Sequence, residues 1–149
     1  MATGPAAANA ALTPIGLPVR LETARQAAAA ALAEARKNGW LMAAAVVDPG
    51  GLLVYFERMD DVQPGSVAVA QGKARSAALF KRPTKAFQDA LAAGGAGVRM
   101  LALEGAVPVD GGVPLLANGK LIGAIGLSGD TSENDGKCAA AGAAAVAAP

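Results

Sequence analysis

Apolar and small positions recur every three to four residues at Leu21, Ala24, Ala28, Leu32 and Ala35. That period predicts an amphipathic helix over Leu21–Lys37, and the run Ala27–Ala31 favours it by propensity. Asn38-Gly39 supplies the stop, since glycine takes the left-handed position after a helix, and Arg36 and Lys37 complement the helix dipole. The pattern then changes. Trp40 to Val47 is apolar at every position and reads as a buried strand. Asp48-Pro49-Gly50-Gly51 is a turn cluster, and Leu52–Glu57 is the returning strand of a hairpin.

Pro64-Gly65-Ser66 opens a second helix, predicted over Val67–Phe80, with Ser66 as N-cap and Pro83 beyond its end. Thr84 is placed to cap a short helix over Lys85–Ala92. Gly94-Gly95-Ala96-Gly97 reads as a linker, because no Gly-Lys-Ser/Thr follows to make a phosphate loop. Val107 and Val109 suggest a short strand, and Gly111-Gly112-Val113-Pro114 a conformationally special turn. Leu115–Ala117 and Lys120–Leu127 flank Asn118-Gly119, a strong hairpin signal. A last helix is expected over Glu133–Val146. Hairpins alternating with helices predict an α+β fold, with a central antiparallel sheet covered by helices, and not a doubly wound parallel one.

Length and composition narrow the picture. At 149 residues, one domain is expected. The uncharged run 1–18 lacks the basic and continuous apolar parts of a signal peptide. It reads as a flexible leader ahead of a domain over 19–149. No segment reads as transmembrane. Much of the 53% hydrophobic content is alanine, which buries little area, so the monomer core is thin and a homo-oligomer is expected. There is no histidine, which excludes Ser-His-Asp and Cys-His nucleophile systems and His-ligated metals. Thirteen basic and 12 acidic residues, with 3% aromatics, leave no nucleic-acid footprint. The single Cys138 forms no intrachain disulfide and fits a cytoplasmic location.

Several stretches, in their order and spacing, carry a resemblance. They are Ala44–Gly51, Arg58-Met59-Asp60, Gly72–Ala77, Gly111–Leu115 and Gly123–Ser132. From Leu21 to Val146 the chain resembles the GlcG/HbpS-like family of haem-degrading or haem-binding domains, which is related to the C-terminal domain of PduO-type proteins. The resemblance implies a profilin-like or PAS-like single domain, assembly into dimers and larger oligomers, and a small-ligand pocket. For some members it implies haem, for relatives a corrinoid link. Haem ligation in the family is discussed in terms of histidine, which this chain lacks; its remaining donors are Met42, Met59, Met100, Cys138 and Tyr55.

The candidate chemistry therefore rests on arginine, lysine, carboxylates and backbone amides. Arg58, at a strand end, suits a ligand carboxylate. Lys73, amid small residues, would lose proton affinity if packed and could then serve as a base or an anion site. Asp60 is either part of that site or a bridge from Arg58 or Lys73 that pins hairpin to helix. Glu104 stands in a long apolar run and is either a general acid–base group or a surface loop residue. Asp130, Thr131 and Ser132 suit capping of the last helix, and Glu133 and Asp135 its first turn. Gly111, Gly112, Pro114, Ser128 and Gly129 are expected to line the pocket, and Gly123 to serve packing. Cys138 reads as buried and inert. Two ligand-handling functions follow, beside a third reading as a structural oligomer subunit with no ligand of its own. One is a binding protein for haem or another planar carboxylate-bearing molecule. The other is a cofactor-independent isomerase, tautomerase or lyase on a small oxo- or hydroxy-acid, with Lys73 or Glu104 as base.

Overall fold

The computed structural model describes residues 10–147. Helix α1 (Leu21–Asn38) ends where Gly39 turns left-handed at φ 75°. The N–H groups of Gly39 and Trp40 return to the carbonyls of Arg36 and Ala35 at 3.1 and 2.9 Å, which satisfies the last turn. β1 (Ala43–Val47) and β2 (Leu53–Arg58) form the first hairpin. Asp48 holds its turn by accepting the N–H groups of Gly50 and Leu52 at 2.9 and 3.0 Å. α2 (Gly65–Phe80), α3 (Thr84–Ala92) and a 3₁₀ segment (Gly95–Ala102) follow. β3 (Gly112–Ala117) and β4 (Lys120–Ser128) make the second hairpin through Asn118-Gly119, both left-handed at φ 53° and 74°, as a type I′ turn requires. α4 (Ser132–Ala147) closes the chain's last element.

The four strands form one antiparallel sheet in the order β2-β1-β4-β3. α1 and α4 cover one face, where Ala44, Val46, Leu115, Ile125 and Leu127 meet Leu32, Cys138 and a row of alanines. α2 covers the other face, setting Ala70, Ala74, Ala77 and Ala78 on Ala43, Ala45, Val47 and Ala124. The architecture is thus the single α+β domain expected. Small residues set the helix–sheet spacing: a side chain at Gly126 would run into the Ala70 carbonyl of α2.

Some local expectations change. Ser66 is not an N-cap; it lies inside the first turn of α2, buried, with Pro64 at the cap position. Thr84 likewise begins α3 itself, after Pro83. Val107 and Val109 form no strand. Pro114 lies within β3 rather than in a turn, which is permitted because β3 is an edge strand. Trp40 to Met42 precede β1. Residues 1–9 of the expected leader lie outside the described residues. Residues 14–19 run beside the start of β4: Leu121 N–H bonds Pro14, Gly16 N–H bonds Leu121, and Val19 N–H bonds Ile122, each at 2.8 Å. Among the described residues, no helix is long and apolar enough to cross a membrane.

Candidate functional site

Lys73 sits mid-way along α2 on the side facing β4 and is 1% exposed. Its Nζ donates to Asp135 Oδ2 at 2.8 Å and to the Leu127 carbonyl at 3.1 Å. Asp135, in the first turn of α4, also accepts the Asp130 N–H on Oδ1 at 3.1 Å. It is therefore more than a first-turn acid: it is the buried counter-ion that joins α4 to α2. Burial pushes the Asp135 carboxyl above its ordinary range, and the Lys73 ammonium opposes that. Asp110 lies nearby, its carboxyl against Gly136 and its N–H bonded to Gln88 Oε1 at 2.7 Å. Burial raises the Asp110 carboxyl too, against the N–H of Gly111.

Gly111 and Gly112 pack against this cluster, and Gly129 packs against the chain before β1. A side chain on Gly111 would meet Lys73 Nζ at 2.8 Å and the Leu127 carbonyl at 2.7 Å. One on Gly112 would meet the Lys73 carbonyl, and one on Gly129 the Leu41 carbonyl. Gly112 N–H donates to Thr84 Oγ1 at 2.9 Å, so the start of α3 is tied to β3. Ser128 is buried, with Oγ donating to Ser66 Oγ at 3.1 Å.

The structure does not bring Arg58 or Asp60 to Lys73. Both are exposed at the far end of β2, and neither forms an ion pair among the described residues. Glu104 is exposed in the turn before Gly105. Of the sulfur donors, Met42 and Cys138 are fully buried, and Met59 Sδ accepts the Met42 N–H at 3.3 Å. Tyr55 Oη donates to Glu57 at 2.8 Å, an arrangement that raises its pKa.

Two hollows flank the three-residue link between α2 and α3. One, of about 420 Å³, lies against Lys81, Pro83, Val113, Pro114 and Leu121. The Lys81 ammonium there already donates to the carbonyls of Ala11 and Thr13 at 3.1 and 2.8 Å. The other, of about 380 Å³, is a groove lined by Phe80, Arg82, Phe87, Ala90, Met100 and Leu103. Both volumes fall in the range of small-ligand pockets, roughly 300–1,000 Å³. Phe80 and Phe87 meet edge to face, centroids 5.3 Å apart at 83°. Arg82 Cζ stands 5.9 Å from the Phe87 centroid, and its Nε donates to the Phe80 carbonyl at 2.9 Å. That bond fixes the guanidinium and leaves its terminal N–H groups without a carboxylate partner among the described residues. Sequence reasoning missed this groove. The signal present was an arginine set between two phenylalanines seven residues apart at a proline-broken helix junction.

Comparisons with known proteins agree with the fold. A family model described as "Haem degrading protein HbpS-like" matches residues 19–144. The chain is similar to protein GlcG of Escherichia coli K12, at 40% identity over 67% of this chain and 73% of that one. A double mutant of HbpS from Streptomyces reticuli superposes with a TM-score of 0.78 at 32% identity, over 87% of each chain. A PduOC:haem complex superposes with a TM-score of 0.77 at 26% identity, over 87% of this chain and 96% of that one.

Proposed function

The chain belongs to the HbpS-like family, and on that premise we propose that it binds a planar small molecule bearing a carboxylate, haem among them, in the Phe80–Leu103 groove. Arg82 carries the reading: a guanidinium held at an aromatic-walled groove with no carboxylate partner among the described residues. An aryl or tetrapyrrole edge would lie against Phe80, Phe87 and Leu103, and Arg82 would take the carboxylate bidentately. The solved relative that holds haem supports this class of ligand. The groove's donor set suits haem in its apolar walls and its cation, and Met100 is the thioether it offers in a chain without histidine. Haem, when bound, supplies a redox-active iron.

The alternative, an isomerase, tautomerase or lyase with Lys73 or Glu104 as base, is not favoured by the geometry. Lys73 is buried in an ion pair, and Glu104 is exposed on a turn and lines neither hollow. Neither is poised to take a proton from a bound substrate.

Titration with haemin, followed in the Soret region beside a thermal-shift panel of aryl carboxylates, tests the proposal. A saturable response is expected, weakened about tenfold or more in Arg82→Ala, as loss of a charge-assisted bond implies. Lys81→Ala leaves it unchanged. No saturable response to haemin or any aryl carboxylate, or a response indifferent to Arg82→Ala, overturns it.

A further inference from the structure

We propose that the hollow beside Lys81 is a second ligand site, which takes an unbranched alkyl carboxylate. It lies across the link 81–83 from the groove of Phe80, Arg82 and Phe87, and its occupant is of a different class. α2 passes Gly126 at Ala70 and Ala74 and stops at Phe80. Beyond that point α2 no longer covers the β3–β4 hairpin, and Pro114, Leu116 and Leu121 line the hollow, with Thr13 at its side.

Lys81 supplies the charge. It takes the left-handed conformation at φ 55°, directly after α2. Glycine is the usual residue at such a helix end, so a lysine there holds strain that ending the helix does not call for. The side chain is half-buried and fixed, since Nζ donates to the carbonyls of Ala11 and Thr13 at 3.1 and 2.8 Å. Those acceptors use two of its three N–H groups and carry no charge. No carboxylate pairs with Lys81 among the described residues. The remaining N–H and the unmet positive charge suit a ligand carboxylate, which makes a stronger bond than a neutral carbonyl does.

The walls select the rest of the ligand. Among the described residues, none that lines this hollow is acidic or aromatic. There is no ring face for an aryl group to stack on, as Phe80 and Phe87 provide across the link. The lysine ammonium is a point charge without the planar fork of an arginine, so it holds a head group by charge and leaves a flexible tail to follow aliphatic walls. The volume of about 420 Å³ accommodates a small ligand.

Calorimetric titration with hexanoate, octanoate and decanoate tests the site. Binding should be saturable and tighten about three- to fourfold per added methylene, as burial of a CH₂ implies. Decylamine, with the same tail and the opposite charge, should not bind. Lys81→Gly suits the backbone of this position, keeps the helix end, and should weaken decanoate about tenfold or more. Lys81→Arg keeps the charge and should retain binding, which separates the charge from a merely structural role. Leu116→Glu puts a like charge at the hollow and should also weaken decanoate. Naphthoate, an aryl carboxylate, should not displace decanoate. Vesicles of phosphatidylglycerol, which present the same tail and an anionic head in a bilayer, should not sediment the protein. Decanoate binding without any aryl response would sustain this site while removing the Arg82 reading. No saturable decanoate binding, an affinity indifferent to chain length or to Lys81→Gly, displacement by naphthoate, or sedimentation with the vesicles overturns the proposal.

Discussion

Lys73 Nζ stands 2.8 Å from Asp135 Oδ2, across 62 residues of sequence, and both side chains are closed to solvent. The pair joins α2 to α4 around the end of β4, so three elements depend on one contact. Removing one partner leaves a buried charge without its counter-ion, at a cost of about 3–5 kcal/mol. Lys73→Met should lower the urea midpoint accordingly, and Lys73→Met with Asp135→Leu should recover most of the loss. A Lys73→Met protein with an unchanged midpoint would reject the structural role.

Gly112 is held twice, by its N–H on Thr84 Oγ1 and by its contact with the Lys73 backbone. Thr84→Val strands a buried amide, which costs about 1–3 kcal/mol. Gly112→Ala drives a methyl into the Lys73 carbonyl and should cost a similar amount, about 1–3 kcal/mol, by overpacking. Thermal melts of both variants check this, with Gly119→Ala, whose side chain would enter open space, as the comparison for backbone strain alone.

Asp110 should give stability an unusual slope with pH. Burial raises its folded pKa above the ordinary 3.8, so the folded protein keeps this proton where the unfolded chain has released it. The contribution is full below 3.8 and is lost as pH rises through the folded value. Asp110→Asn removes the ionised state. Relative to the parent, it should gain stability near neutral pH and gain little in acid. Urea midpoints at the two conditions measure the difference.

Cys138 is fully buried, and its thiol is pushed up to about 12, first by desolvation and then by nearby carboxylates. Only thiolate reacts with disulfide reagents. Labelling should therefore be absent in native buffer at neutral pH and complete in denaturant. Partial native labelling would show that α4 opens locally.

Punctuation made most of the fold legible. Gly39, the Asp48–Gly51 turn and Asn118-Gly119 each demand a particular backbone, and the elements between them follow. Val107 and Val109 misled because two valines in a loop have the same local pattern as a short strand. The site was harder to read. Asp135 has every mark of a helix first-turn acid, and only tertiary packing shows that it answers Lys73. Gly111 and Gly112 announced a close approach, but sequence does not say whether a ligand or a helix approaches. The groove is assembled from Phe80, Arg82, Phe87 and Met100, which belong to four segments and form no motif.

The alanine-lined interfaces reverse the usual vulnerability of a protein interior. Most cores are damaged by deletion, because a large side chain leaves a cavity when cut back. Ala74, Ala77 and Ala124 have only one methyl to lose. Growth is what they resist, since the helix and sheet backbones already touch at Gly126 and Gly112. Random substitution should therefore spare truncations and eliminate Ala→Val and Ala→Thr, giving this domain a mutational landscape shaped by crowding.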